Sequence, residues 1–457
     1  MVAPRRPVRS SKPRPKALCY RPRTSVSRAL TFVMANACAA CASTPIDPGS
    51  AASKSENGGT AGTRTCTDQA TERVVTGVRI FELAAFQAVK VPLVNQMVEV
   101  VSRKADIVAG RPALFRAYVV PEPGWVPRIV RARLTLTNSD ADGATHELTF
   151  TRTVTLHDAS IERDLDTSYN FEVPAEAITN STKYAVGLFE TEACPPESSG
   201  SMARFPKEGL ADLRARSVGE IHVQLVPVLV QGPNGPLLPD TTGPQIEIYR
   251  KSLFRLFPAT AVELSVRAEP VPTTATSMQG VLDEIAALRE AEKPASNLSY
   301  FGLVRFTDQI EQYCTPSCVL GGALDGDMNH PTAGTAVGIG YSGGSSAGTL
   351  AHELGHVYGQ AHAPCGVDGD PNYPYRGGLI GSWGFDILDH QLVDPMKHLD
   401  FMSYCKPIWV SDYTFGRLQT YLARLNGFEA IPGPPQMLQS LRNPRFMAQA
   451  QLCSNFL

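Results

Sequence analysis

The sequence predicts a multidomain protein, an N-terminal antiparallel β-sandwich followed by an α/β layer domain. Three observations carry this. The chain has 457 residues, and at roughly 150 residues per domain that is two or three domains. Between about residues 68 and 217, short runs alternate apolar and polar residues with turn residues between them. Beyond residue 218, strands alternate with helical patterns. Composition is that of a folded protein, 43% hydrophobic and 19% charged. No run of about 18 apolar residues occurs, which excludes a polytopic membrane protein.

In the sandwich region VRARLTL (residues 130–136) is the clearest strand. Val130, Ala132, Leu134 and Leu136 face one way, and Arg131, Arg133 and Thr135 the other. ALFRAYVV (113–120), ELTFTRTVTL (147–156) and YAVGLFE (184–190) read as strands too, with NSDADG (138–143) as a turn. No chemical motif falls here. In the layered region IHVQLVPVLV (221–230), AVELSVRA (261–268), YFGLVRF (300–306) and GTAVGIGY (334–341) read as strands. Ile246, Tyr249, Leu253 and Leu256 have helical spacing, and MQGVLDEIAALREAE (278–292) is a helix. The glycines of 334–341 suggest an edge strand approached by another backbone.

Net charge is −2, but nine basic residues and no acidic ones fall in residues 1–28, so the remainder carries −11. An acidic body argues against nucleic acid as a partner, because phosphate binding needs clustered Lys and Arg. Ten cysteines without paired CxxC spacing point to disulfides in an oxidising compartment. The basic start is followed by ALTFVMANACAACA (29–42), the length of a signal-peptide core. Cys41 after Ala39 and Ala40 is similar to the acylated cysteine of a bacterial lipoprotein signal, and Cys38 is a second candidate. The expectation is an exported protein, lipid-anchored at a membrane or secreted. Residues 1–41 are its signal, residues 42–67 a Ser/Gly/Thr-rich tether, and residues 431–457 a C-terminal tail.

The chemistry lies in HELGHVYGQAH, residues 352–362. His352 and His356 are four apart and share a helix face. Each can give one ring nitrogen to a single Zn²⁺, and Glu353 stands beside the first as a general base for an activated water. Gly359 ends the helix and lets the chain return His362 as a third ligand. Three protein ligands leave a position open, which is the catalytic pattern of zinc. Ser345 and Ser346 stand where N-caps would, with Leu350, Leu354 and Val357 on the buried face. A chance match to the five fixed positions is on the order of 10⁻⁵ per chain.

This pattern resembles the metzincin superfamily of zinc endopeptidases, whose signature HExxHxxGxxH is followed by a Met-turn. DFMSYC (400–405) fits that second element, and DFMSYCKPIWVSDYTF before a helix resembles uncharacterised bacterial lipoprotein metzincins. The resemblance makes residues 218–430 a metzincin-like zinc metalloprotease domain with one Zn²⁺. It implies Met402 as a floor beneath the metal and Tyr404 as a group that approaches it or stabilises an oxyanion. Because Met402 would underlie the ion that His362 touches, Cys365 and Cys405 should meet and pair. Cys314 with Cys318, and Cys66 with Cys194, are the next pairs. The substrate would be a protein or peptide lying along an edge strand within 334–341. Its pocket would be shaped by residues 363–401, with Tyr373, Tyr375, Trp383 and Phe385 as wall residues.

Weaker patterns remain. Asp325-Gly-Asp327-Met-Asn329 and Asp368-Gly-Asp370-Pro-Asn372 begin as Ca²⁺ loops do, but neither has the later glycine and glutamate, and Asx-turns explain them as well. His330, His390 and His398 lie near the motif as surface or hydrogen-bonded histidines. The alternative to a protease is a surface binding or adhesion protein, with the sandwich as its working part and a catalytically weak metzincin domain. The sequence leaves the oligomeric state open.

Overall fold

A computed structural model describes residues 73–191, 202–324, 330 and 333–428, and the backbone of strand Met447–Gln451. The signal, the tether, the Cys66–Cys194 pair, Cys453 and the 325–329 loop lie outside the described residues. Residues from Thr65 onward form one compact unit. It is β-rich with few helices, and no helix among the described residues is long and apolar enough to cross a membrane.

Two antiparallel sheets make up the first half. One contains strands Val78–Phe86, Ala88–Asn95, Ala113–Pro121 and Tyr169–Val173 in hydrogen-bonded neighbourhood. The other is built on Arg128–Ser139, flanked by Thr145–Leu156 and Lys183–Glu190. Val130, Ala132, Leu134 and Leu136 are fully buried, while Arg131 and Arg133 are not, as the alternation requires. The first sheet is not closed within this half. Gly384–Asp386 pairs with Ala88 and Val89, and Gln391–Val393 pairs outside it, so two strands from far along the chain extend it.

The second half is a mixed sheet covered on both faces. Ile221–Gly232, Leu298–Val304 and Thr335–Ile339 run parallel, and Cys318–Ala323 follows antiparallel. Met447–Gln451 pairs antiparallel on the far side of Cys318–Ala323. Helix α1 (Gly243–Leu256) buries Tyr249, Leu253 and Leu256. Helix α2 (Met278–Glu292) starts at Ser277, whose side chain accepts from the Gly280 amide, and buries Val281, Leu282 and Ile285 on the opposite face. A short helix, α3 (Ile310–Tyr313), precedes the Cys314–Cys318 disulfide. Helix α4 (Gly344–Val357) packs on the α1 face through Ala347, Leu350, Ala351 and Leu354. Helix α5 (Asp412–Leu425) is capped by Ser411 and closes the described chain on that side.

Two expectations are corrected here. Thr335–Ile339 is no edge, because it is paired on both sides. Its glycines serve packing instead: a Cβ at Gly338 would stand 2.8 Å from Phe301 and Thr349 side-chain atoms. Nor do Ser345 and Ser346 cap α4. The helix begins one residue earlier with Gly343 at the cap, and the Ser346 hydroxyl donates to the Tyr341 carbonyl at 2.6 Å.

Candidate metal centre

Helix α4 carries His352, Glu353 and His356, all buried. It stops at Tyr358, and Gly359 takes φ +74°, a conformation that costs glycine little. The chain then doubles back and delivers His362, 8% exposed. The three Nε2 atoms converge: His356 lies 3.2 Å from His352 and 3.1 Å from His362, and all three fall within 4.8 Å of one another. No other cluster of this kind occurs among the described residues.

The tautomers are set from behind. His352 Nδ1 donates to the Phe401 carbonyl at 2.9 Å, and His356 Nδ1 donates to the Gln360 carbonyl at 2.7 Å. Both Nε2 atoms therefore point lone pairs at each other across 3.2 Å, which is repulsive without a cation between them. Zn–N bonds of about 2.0–2.1 Å in a tetrahedron put ligand nitrogens roughly 3.3 Å apart. The donor set and its spacing thus fit zinc. Burial pulls His352 down to about 3 and His362 down to about 4, and holds His356 well below its ordinary 6.5, so all three are neutral donors.

Glu353 is fully buried, and neither carboxylate oxygen has a hydrogen-bond partner in the protein. Burial holds its pKa well above 4.5. The strand beside it is Cys318–Ala323: a Cβ on Gly321 would stand 2.7 Å from Glu353 Cγ and Oε1. A proton-accepting group with no protein partner, aimed beside three metal donors, is suited to handling a water's proton.

The turn Asp400–Cys405 comes up from below. Met402 is fully buried, and a Cβ on Gly355 would stand 2.2 Å from its sulfur, so the glycine inside HELGH makes room for this side chain. Asp400 holds the turn by accepting from the amides of Met402 and Ser411, both at 2.9 Å. The turn is tied to the His362 loop by Ala363 N–H to Met402 O (3.0 Å) and Tyr404 N–H to Cys365 O (2.9 Å). Cys365 and Cys405 are disulfide-bonded with Cα atoms 5.7 Å apart. The Tyr404 ring lies 4.9 Å from the His362 ring and 5.7 Å from the His352 ring, centre to centre.

A cavity of about 290 Å³ opens beside His352 and Tyr404, bounded by Leu320, Gly348, Thr349 and Ile408. Its far wall comes from residues after the turn, not from 363–401. The four aromatic residues expected as walls are used elsewhere. Tyr373 donates to the Leu379 carbonyl, Tyr375 bonds Asp412, and Phe385 packs on Phe86 next to Trp383. The Ca²⁺ pattern at 368–372 is not supported either. The Asp370 carboxylate accepts from the Tyr413 hydroxyl at 2.8 Å and from the Asn372 amide at 2.9 Å, the second being an Asx-turn. His390 lies 3.3 Å from Glu172, and His398 donates to the Asp394 carbonyl; neither joins the triad.

Residues 272–406 match the family model described as Peptidase M66. The match spans the helix, the returning ligand loop and the turn beneath them. Together with the three histidines it supports a metallopeptidase. No curated protein and no solved structure shows a significant match to the chain.

Proposed function

We propose that the chain is a zinc-dependent endopeptidase of metzincin type, acting on extracellular or surface proteins. The observation that carries this is the convergence of three neutral imidazole donors beside the buried, unpartnered carboxyl of Glu353. The metzincin assignment is supported by Gly359 at the helix end and by Met402 packed on Gly355 under the ligands.

Zinc held by His352, His356 and His362 supplies a Lewis acid that polarises a carbonyl and acidifies a water. The remaining work belongs to the chain. Glu353 takes a proton from the attacking water and hands it to the leaving amine. Its burial favours the protonated form, so the proton it has taken is held until the amine accepts it. Tyr404 stands over the His362 side and offers a hydroxyl to the oxyanion that develops as water adds. The cavity by Thr349 and Ile408 receives one substrate side chain. Export belongs to the same reading. Disulfides at Cys314–Cys318 and Cys365–Cys405 are expected where thiols are oxidised, and the lipid anchor at Cys41 or Cys38 rests on the leader.

The test is cleavage of an unbiased peptide library by the secreted form. Hydrolysis should stop with chelator and return with zinc. Zinc-loaded protein that cleaves nothing would favour the adhesion reading.

A further inference from the structure

We infer that α5 is the outer template of the metal centre and that Arg417 is its positioning residue; this rests on the three histidines binding a metal. Helix α5 lies 50 residues or more beyond the motif, and none of its side chains reaches the ligand nitrogens. Yet Tyr413, Arg417 and Tyr421, spaced four apart on one face, each touch the loop that separates His356 from His362.

Arg417 makes the central contact. Its Nε donates to Gln360 Oε1 at 3.1 Å, and its Nη2 approaches the Gly359 carbonyl at 3.5 Å. Gln360 is buried, and its side-chain amide also donates to the Tyr358 carbonyl at 2.8 Å. Its own carbonyl receives His356 Nδ1–H. One guanidinium thus grips the corner residue whose backbone orients the second ligand. The same guanidinium lies against α4's last carbonyls, where a cation is favourable.

The other two residues fix the ends of the same loop. The Tyr413 hydroxyl donates to Asp370 Oδ2 at 2.8 Å, Arg417 Nη1 lies 3.8 Å from that oxygen, and the Asp370 amide donates to the His362 carbonyl at 2.7 Å. That chain of bonds sets the third ligand. The Tyr421 ring lies 5.6 Å from that of Tyr358, and a Cβ on Gly359 would stand 3.3 Å from it. Second and third ligands are therefore held to one rigid helix face, which fixes the distance between them. Outer contacts of this kind orient ligands and tune metal affinity.

The test is zinc affinity, measured by chelator competition on folded wild type, Arg417→Met, Arg417→Lys and Tyr413→Phe. Loss of the guanidinium should weaken zinc about 10- to 100-fold, with partial recovery in Arg417→Lys and a smaller loss in Tyr413→Phe. A folded Arg417→Met that binds zinc within about threefold of wild type overturns the inference, even if its zinc-free melting temperature falls. Should Arg417→Met not fold, Tyr413→Phe decides: unchanged zinc affinity overturns the proposal. Wild type that binds no zinc fails the metal reading itself, and the inference with it.

Discussion

Burial acts in opposite senses on the four titratable residues of the motif: it raises Glu353 and lowers the three histidines. For His362 the folded value is about 4 against an ordinary 6.5. Between those values the unfolded chain holds the proton and the zinc-free folded chain does not. Stability from this residue is therefore full above the unfolded pKa and is lost as pH falls towards the folded one, at about 1.4 kcal/mol per pH unit. Glu353 works in the other direction, but it does so equally in a His362→Gln variant. The stability difference between the zinc-free wild type and that variant should therefore shift against wild type on going from about pH 7 to about pH 5. A difference that stays flat over that range contradicts the burial of a neutral His362. At this scale the sequence was most legible. Metal chemistry demands fixed residue types at fixed spacings, so His352, Glu353, His356 and His362 could be read directly. Gly355 also stood in plain view, but its role needs Met402 above it, and that contact is visible only in three dimensions.

At the scale of elements, the ligand loop is held from two sides, by α5 and by the Asp400–Cys405 turn. The Cys365–Cys405 bond closes a separation of 40 residues. In the chain-entropy picture that is worth about 3–4 kcal/mol, less any strain. The Cys365→Ser/Cys405→Ser protein should lose stability of that order in urea unfolding, and bind zinc less tightly because Ala363 and Met402 are no longer clamped. Unchanged stability would mean that the two backbone bonds suffice. Elements with strong periodicity were legible: residues 278–292 form the helix expected from their pattern. Cys318–Ala323 was missed because CVLGGA has two glycines and too few apolar residues to alternate. Gly384–Asp386 was missed because three residues cannot show a period. The walls of the cavity were assigned to 363–401 on chain order alone. The chain between Lys406 and Ile408 passes there instead, directed by the anchoring of Asp400 to the Ser411 amide.

Across the whole molecule the two halves share their interior. One buried cluster runs from Val75 to Leu422. Arg111, fully buried and pulled down to about 9 by burial, donates to the carbonyls of Phe254 and Ala259 at the end of α1. Gln419 on α5 exchanges hydrogen bonds with the Asp106 backbone, and Trp409 donates to the Ala88 carbonyl. The β-rich first half thus braces α1, α5 and the Met402 turn, the same elements that surround the ligands. Full-length protein should unfold in a single calorimetric transition, with calorimetric and van't Hoff enthalpies equal. Two separated transitions would show that the halves are thermodynamically independent. None of this bracing was legible in the sequence, because each link joins residues far apart through backbone carbonyls that any side chain could flank.

The central claim is that Glu353 moves protons beside a zinc ion held by three histidines. Library cleavage and zinc content, measured together on wild type and Glu353→Gln, test it most directly. The account predicts about one zinc per chain in both proteins, with hydrolysis by the variant reduced roughly 10²- to 10⁴-fold. Equal cleavage by the two zinc-loaded proteins would contradict it.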